Sequence, residues 1–276
     1  MTDKYAVIGN PIAHSKSPLI HKMFAEQTGQ DISYEAIEAP LGKIDRFNDG
    51  FDTKIEELRT KGYKGCNVTV PFKQKAYQLS NVHVLDKYVS DFEALASNTL
   101  EFKQDGIHGY NTDGIGLVRD IQQNIGIKLR DKRVLLLGAG GAARGVISPL
   151  RFEGATITIA NRTVDKARAL AQRFSISSCS YDELAGKQFD IVINATSSGL
   201  TDEMPPLPPG IFAPGALAYD MMYGRETPFM KFAREQGAAT VSDGLGMLIE
   251  QAAEAFYIWR GVRPDTAPVL AKLRLS

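Results

Sequence analysis

The stretch from Val134 to Gly145, VLLLGAGGAARG, decides the fold. Four apolar residues lead into a glycine cluster that matches the pattern G-x-G-x-x-A, with Gly138, Gly140 and Ala143 at its fixed positions. The first glycine permits a tight turn after a strand, the second lets the backbone approach a pyrophosphate, and the alanine lets helix and strand pack closely. A plain glycine-rich turn also matches this pattern, so a dinucleotide-binding interpretation needs support from the neighbouring elements. The stretch predicts a strand, a turn and a helix N-terminus that binds the phosphates of a dinucleotide.

The neighbouring sequence supports this interpretation, because short β-rich runs alternate with helical runs along most of the chain. Ser17, as a cap, and Pro18 are typical of a helix start, and Gly29 is typical of a helix end. The pattern indicates an α/β protein of two domains, with the main boundary near residues 113–130. We expect strands at 5–9, 33–39, 65–70, 133–138, 156–161, 190–196, 217–223 and 239–244, and helices at 17–29, within 44–62, and at 142–154, 164–174, 228–237 and 245–261.

Composition argues against several classes of partner. The 276 residues contain 32 lysines and arginines against 32 aspartates and glutamates, so neither a nucleic acid nor a membrane surface is an expected partner. No apolar run approaches the ~18 residues of a membrane span, and the N-terminus lacks the pattern of a signal peptide. Cys66 and Cys179 have the spacing of neither a metal site nor a disulfide framework. We expect a cytoplasmic protein that acts on small molecules, as a monomer or a homodimer.

The residues after the second strand of the dinucleotide half indicate the cofactor. An NAD enzyme usually has Asp or Glu about 20 residues past the glycines, where it binds the ribose hydroxyls. This chain has Asn161, Arg162 and Thr163 there, with Lys166 one helical turn further on. A guanidinium pairs with a 2′-phosphate that a carboxylate would repel. NADP is therefore the expected cofactor, although Asn161 or Thr163 would also suit a solvated turn that caps the next helix.

Hydride transfer needs a group that moves the matching proton. The four histidines and two cysteines show no metal-binding spacing, so we expect no metal site and a side-chain acid/base instead. The candidates are Lys73, which ends CNVTVPFK (66–73), and Asp113, which lies within GYNTDGIG (109–116). Both segments suit the carboxyl ends of strands, where parallel sheets bind ligands. An aspartate that orients a lysine lets it protonate a developing alkoxide; the alternatives are a surface lysine and a turn-forming aspartate.

The segment after the first strand, GNPIAHSKSP (9–18), carries two hydroxyls, those of Ser15 and Ser17. Two hydroxyls in a turn suit a small polyhydroxy or carboxylate ligand. The alternative for Ser17 is helix capping. His14 and His21 are expected to be ordinary polar residues, because a helix that begins at Ser17 cannot place both on one face.

These motifs together resemble the shikimate dehydrogenases of the biosynthetic type, from about residue 5 to residue 270. The resemblance rests on nine motifs in the family's order: GNPIAHSKSP, NVTVPFK, SNTL, GYNTDGIG, GAGGAARG, NRT, NATSSG, YDMMY and DGLGMLIEQAA. It implies the reversible NADPH-dependent reduction of 3-dehydroshikimate to shikimate, a step of chorismate and aromatic amino-acid biosynthesis. The implied fold is a substrate-binding α/β domain with a mainly parallel sheet at 1–113, joined by a returning C-terminal helix within about 246–276, and a Rossmann NADP-binding domain at 114–245.

The resemblance also assigns a role to each matching residue. Lys73 is the acid/base, Asp113 is its partner, and Ser15 and Ser17 hold the substrate carboxylate. The ring hydroxyls and the rest of the substrate pocket are assigned to Thr69, Asn98, Tyr223 and Gln251. The residues assigned to the pyrophosphate are Gly138, Ala139, Gly140, Gly141 and Ala142. Those assigned to the adenosine phosphate are Asn161, Arg162, Thr163 and Lys166. Those assigned to the nicotinamide are Met221 and Gly244.

One departure concerns the segment before the pocket asparagine. The family usually has G-A-V-N-T where this chain has Leu95-Ala96-Ser97-Asn98-Thr99, and the stretch from Lys73 to Asn98 is longer than expected. Three alternatives stay open: a quinate/shikimate dehydrogenase with broader substrate and cofactor use, a methylene-tetrahydrofolate dehydrogenase or similar two-domain enzyme, and a non-catalytic NADPH-sensing protein. Arg162 argues against the first, HSKSP and NTDG against the second, and the pairing of Lys73 with Asp113 against the third.

Overall fold

The computed structural model describes residues 2–41, 50–83, 95–196 and 202–275. The strands are β1 (Asp3–Gly9), β2 (Ile32–Glu38), β3 (Tyr63–Val68), β4 (Asn81–Val82), β5 (Thr99–Lys103), β6 (Gly106–Tyr110), β7 (Arg133–Leu137), β8 (Thr156–Ala160), β9 (Ser177–Cys179), β10 (Phe189–Asn194), β11 (Phe212–Asp220) and β12 (Thr240–Ser242). The helices are α1 (Ser17–Thr28), α2 (Gly50–Thr60), α3 (Lys73–Gln78), α4 (Asp113–Arg119), α5 (Gly141–Phe152), α6 (Val164–Phe174), α7 (Pro228–Glu235), α8 (Leu245–Arg260) and α9 (Ala267–Arg274).

The chain forms two compact units, and the predicted α/β class is confirmed for both sheets. The first unit joins Met1–Gly116 to Leu248–Ser276, and the second unit is Leu117–Met247. Within the first unit, Trp259 of α8 stacks on Tyr5 of β1, with ring centroids 4.6 Å apart, and donates a hydrogen bond to the Leu100 carbonyl. These contacts pack the C-terminal helix on the first sheet.

The first sheet has the strand order β2-β1-β3-β5-β6-β4. It is parallel at β1–β2, β1–β3 and β4–β6, and antiparallel at β3–β5 and β5–β6. Because β5 runs antiparallel to β3, the segment before β5 lies at the same sheet edge as the segment after β3. The end of β6 returns to that edge, since Tyr110 pairs with Thr99. This register brings together parts of the chain that the sequence separates widely.

The second sheet is parallel throughout, with the order β12-β11-β10-β7-β8-β9. Numbered from β7, this is the doubly wound order of a dinucleotide-binding Rossmann fold. Leu137 pairs with Ala160, so the turns after β7 and β8 lie side by side at the carboxyl edge. The buried strands are nearly all apolar, as a parallel sheet covered on both faces requires.

The start of α1 corrects one prediction. The N-cap is Lys16 rather than Ser17, and it makes no side-chain capping bond. Instead the Ser17 backbone N–H donates to Ser15 Oγ at 3.2 Å, so the side chain of Ser17 is not used as a cap. Gly29 ends the helix with a φ of 65°, as predicted.

Some predictions fall outside the described residues. These are the early part of the helix expected within 44–62, which is described from Gly50 onward, the stretch 84–94 between Lys73 and Asn98, and the last three residues of the NATSSG motif. Within the described part of the chain, none of the helices combines the length and the apolarity that a bilayer span requires.

Candidate active site

Lys73 and Asp113 form a close ion pair. Lys73 begins α3, just after the end of β3, and Asp113 begins α4, just after the end of β6. Lys73 Nζ donates to Asp113 Oδ2 at 2.5 Å, and the side chains are 15% and 6% exposed. The alternative that Lys73 is an ordinary surface lysine is therefore wrong. The Lys73 side chain nevertheless keeps a small exposure to solvent.

Asn98 holds the other carboxylate oxygen of the pair. Its amide Nδ2 donates to Asp113 Oδ1 at 2.8 Å and to Gln251 Oε1 at 3.1 Å. Its Oδ1 accepts from the backbone N–H of Thr112 at 2.7 Å. We call these five residues, Lys73, Asn98, Thr112, Asp113 and Gln251, the lysine cluster. Because its members satisfy one another, the cluster holds the lysine in one orientation.

A second layer of hydrogen bonds, which sequence reasoning missed, supports the lysine cluster. Asn67 at the end of β3 donates to Thr99 Oγ1 at 3.0 Å, and its Oδ1 accepts from the Tyr34 hydroxyl at 2.7 Å. Burial raises the pKa of Tyr34 well above its ordinary value, so the hydroxyl stays protonated and donates. A polar residue inside an apolar strand was the one signal for Asn67. The alternating pattern of β2 contains none for Tyr34.

His21 was expected to be an ordinary polar residue, and this prediction is wrong. Its side chain is fully buried in α1 and stacks on Tyr34, with ring centroids 4.1 Å apart. Phe24, Phe256 and Trp259 complete the aromatic surroundings. Burial lowers the pKa of His21 to about 3, so the ring is neutral at physiological pH.

The other predicted substrate residues of the first unit follow β1 and β3. Ser15 and Ser17 lie at the start of α1, with Ser17 buried and Ser15 partly exposed. Thr69 follows β3, and its backbone N–H donates to the Ile8 carbonyl at 2.8 Å. A Cβ on Gly9 would lie 2.4 Å from the Thr69 methyl group, so glycine is required where these two segments meet.

The glycine turn of the second unit suits a pyrophosphate. Gly138 has a φ of 104°, and a Cβ there would lie 3.0 Å from the Ala195 carbonyl oxygen, so only glycine fits. Gly140 and Gly141 both face open space. Gly140 caps α5 without a side-chain bond, which leaves the first backbone N–H groups of the helix free for an anion. Ala139 is buried and Ala142 partly buried beside them.

The turn after β8 presents cations. Arg162, Thr163 and Lys166 are exposed, and neither cation has an ion-pair partner among the described residues. Asn161 Nδ2 donates to the Thr163 carbonyl at 2.9 Å, which shapes the turn. Thr163 is the N-cap of α6 but makes no side-chain capping bond, so its hydroxyl is not used in that role. We call this turn (161–166) and the glycine turn (138–144) the phosphate edge.

The predicted nicotinamide residues meet at the ends of β11 and β12. A Cβ on Gly244 would lie 2.3 Å from the Met221 carbonyl oxygen, so residue 244 must be glycine for the two backbones to touch. The Gly244 N–H donates to the Met222 carbonyl at 2.9 Å. Tyr223 follows in the same loop and is partly exposed.

A Rossmann sheet in one unit and a buried lysine–aspartate pair in the other define a two-domain, dinucleotide-dependent dehydrogenase. Family models agree: the shikimate dehydrogenase substrate-binding domain matches residues 7–100, the shikimate/quinate 5-dehydrogenase model 120–201, and the shikimate 5′-dehydrogenase C-terminal domain 244–274. The NADP(+)-dependent shikimate dehydrogenase of Methylobacillus flagellatus is 59% identical over 99% of this chain and 100% of its own. The chain belongs to the shikimate dehydrogenase family.

Solved structures agree along the whole chain. An Ael1 enzyme from Pseudomonas putida is 47% identical, with a TM-score of 0.87 over 99% of this chain and 98% of its own. The shikimate 5-dehydrogenase of Thermus thermophilus, solved in complex with NADP(H) and shikimate, is 32% identical, with a TM-score of 0.85 over 99% of both chains.

Proposed function

We propose that this protein catalyses the reversible, NADPH-dependent reduction of 3-dehydroshikimate to shikimate, in chorismate and aromatic amino-acid biosynthesis. The observation that carries the proposal is the 2.5 Å contact between Lys73 and Asp113, held by Asn98 in a nearly dry setting. A proton donor of this kind is what the reduction of a carbonyl to an alcohol needs. The family membership supports the choice of substrate.

Lys73 supplies the proton. Its ammonium donates to the carbonyl oxygen as negative charge develops there, and the new O–H bond forms as the N–H bond breaks. Neutral Lys73 then regains a proton from solvent, to which it is 15% exposed. Asp113 stabilises the ammonium, and its second oxygen is fixed by Asn98, so the lysine is already aimed when substrate arrives.

The substrate carboxylate is proposed to bind the hydroxyls of Ser15 and Ser17. Both lie at the N-terminus of α1, where free backbone N–H groups favour an anion. Thr69, Asn98 and Gln251 of the first unit are proposed to bind the ring hydroxyls, and Tyr223 is a proposed substrate residue of the second unit. Among these, Asn98 and Gln251 are already hydrogen-bonded to each other, so they have a fixed geometry.

NADPH, when bound, supplies the hydride for the carbonyl carbon. The glycine turn is proposed to hold its pyrophosphate, and Arg162 with Lys166 its 2′-phosphate, because both cations lack partners among the described residues. Asn161 and Thr163 shape the adenosine side of the site. Met221 and Gly244 are assigned to the nicotinamide, where their backbones touch.

The test is the absorbance of reduced nicotinamide with purified protein, shikimate or quinate, and either NADP+ or NAD+. We expect rapid reduction of NADP+ with shikimate and slow reduction of NAD+. Equal use of both cofactors together with quinate turnover would indicate the broader quinate/shikimate enzyme. NADPH binding without any turnover would indicate a sensor and overturn the proposal.

We further propose that the enzyme acts in the cytoplasm as a monomer or homodimer. Cys66 and Cys179 support a reducing compartment, since both are buried free thiols. Light scattering of the purified chain, with and without reductant, measures the mass. A mass above that of a dimer would contradict the proposed assembly, and a mass that falls on addition of reductant would contradict the reducing compartment.

A further inference from the structure

Arg144 is the one cation in the first two turns of α5, and the proposed function gives it no role. It occupies the fourth position of the helix, after Gly141, Ala142 and Ala143. Its backbone N–H bonds the Gly140 carbonyl at 3.1 Å, so the chain is already helical at this point. The first turn carries no acidic residue.

One donor of the Arg144 guanidinium has no acceptor among the described residues. The residue as a whole is partly buried, whereas this donor, the Nε atom, is fully buried. A buried guanidinium donor without an acceptor costs free energy. The positive end of the helix dipole adds a second unfavourable term for a cation in this turn. An anion bound at this turn would offset both terms, because it accepts from the guanidinium and is attracted to the positive end of the helix.

The backbone shows where that anion would lie. Side chains of a helix lean toward its N-terminus, so Arg144 covers the turn that contains Gly140 and Gly141. Both glycines face open space, and the backbone N–H groups there have no side-chain cap. Arg162 belongs to the neighbouring turn after β8, beside the glycine turn in the sheet. The phosphate edge therefore offers two separate cationic positions, and NADP carries two separate phosphate groups.

We propose that Arg144 binds the pyrophosphate of the cofactor through its guanidinium, while Arg162 binds the 2′-phosphate. The inference rests on the proposed cofactor site, but it assigns Arg144 a binding role beyond that of the glycine turn. It predicts that the two arginines distinguish ligands in opposite ways, because NAD+ contains the pyrophosphate alone and 2′-AMP contains the 2′-phosphate alone.

Isothermal titration of NADP+, NAD+ and 2′-AMP into the full chain tests this without turnover. Arg144→Met is expected to weaken NADP+ and NAD+ by the same ~10–100-fold, the range of a lost charged hydrogen bond, and to leave 2′-AMP unchanged. Arg162→Met, the matched comparison, is expected to weaken NADP+ and 2′-AMP and to leave NAD+ unchanged. Failure of the proposed reaction would appear only in the shikimate assay, so the two tests are separable.

Two results would overturn the inference. The first is an Arg144→Met protein that binds all three ligands as the wild type does. The second is a loss of NADP+ and 2′-AMP affinity with NAD+ affinity retained, which would place Arg144 at the 2′-phosphate. If Arg144→Met does not fold, Arg144→Lys is the second variant, because it keeps the charge but loses the planar fork. A loss of affinity for NAD+ without a loss for 2′-AMP would then support the inference, and the reverse would overturn it.

Discussion

The lysine cluster and the phosphate edge are built in opposite ways. In the lysine cluster, Lys73, Asp113 and Asn98 satisfy one another, with little exposure to solvent. On the phosphate edge, Arg162 is exposed without an ion-pair partner among the described residues, and Arg144 has a buried nitrogen without an acceptor there. The first region is organised before any ligand binds, whereas the second keeps its donors for the ligand. The first should therefore control rate, and the second affinity.

The largest expected effect comes from removing the lysine. Lys73→Met should lower kcat about 10²–10⁴-fold, the usual contribution of a general acid, while the Kd of NADP+ measured by titration stays unchanged. Steady-state kinetics with shikimate measures the first quantity. Lys64→Met, at an exposed position on β3, is the control and should keep wild-type kcat.

The pairing itself is checked by a double variant. Asp113→Asn should also be slow, and Lys73→Met/Asp113→Asn should be no slower than Lys73→Met within a few-fold, because the two side chains act as a unit. Effects that multiply would mean that Asp113 acts independently of the lysine. A loss of NADP+ affinity in Lys73→Met would contradict the separation between rate and affinity.

The next effect concerns the phosphate edge. Gly140 has a φ of −86°, which alanine also adopts, and an added methyl group would face open space. In the Gly140→Ala variant the free energy of unfolding should therefore change by less than about 0.5 kcal/mol. The methyl group would stand where the pyrophosphate is proposed, so the Kd of NADP+ should rise about 10–100-fold. Titration and urea unfolding of the same sample measure both quantities.

Gly138→Ala is the matched comparison. Its φ of 104° and the 3.0 Å approach to the Ala195 carbonyl make alanine strained there, so this variant should unfold about 1–3 kcal/mol more easily. Two glycines in one turn would then separate binding from folding. Equal destabilisation by both variants would show that Gly140 is required for the stability of the turn and not only for cofactor binding.

The sequence predicted the second unit better than the first, for a physical reason. A parallel sheet with helices between its strands is encoded by local periodicity, and the helix expected at 164–174 is α6. The antiparallel pairing of β5 with β3 and β6 is long-range and leaves little local signal. Lys73 and Asp113 were predicted from residue type and loop position, but their contact depends on that pairing.

The supporting residues were harder to predict, because burial is decided by tertiary packing. Tyr34 and Asn67 meet only when β2, β1 and β3 are assembled in register. Arg144 follows a recognisable motif, but its isolated Nε atom appears only in three dimensions. Residue type and loop position therefore predicted the candidate reacting groups, and packing shows which residues hold them.

A third effect tests the support beneath the lysine cluster through pH. Unfolded His21 takes up a proton near pH 6.5, but the buried ring resists protonation until about pH 3. Between these values the unfolded state binds more protons, so stability falls as pH falls through this window. At pH 5 the loss relative to pH 7.5 should be about 2 kcal/mol from this one group.

Urea unfolding at pH 7.5 and pH 5 measures this term in wild type and His21→Phe. The variant keeps an aromatic ring against Tyr34 and should lose about that much of the pH dependence. His14→Gln, at an exposed position, is the control and should keep the wild-type difference. An unchanged pH dependence in His21→Phe would show that the pKa of His21 is the same in the folded and the unfolded chain.

The smallest effect concerns Leu95, which stands where the family usually has glycine. Its φ is 47°, in the left-handed region that leucine rarely adopts, just before the buried segment that carries Asn98. Leu95→Gly and Leu95→Ala remove the same packing, but only glycine relieves the backbone. Leu95→Gly should therefore be more stable than Leu95→Ala by about 1 kcal/mol in urea unfolding. If alanine were equally stable, the backbone at residue 95 would not be strained, and the substitution in this chain would carry no cost at the lysine cluster.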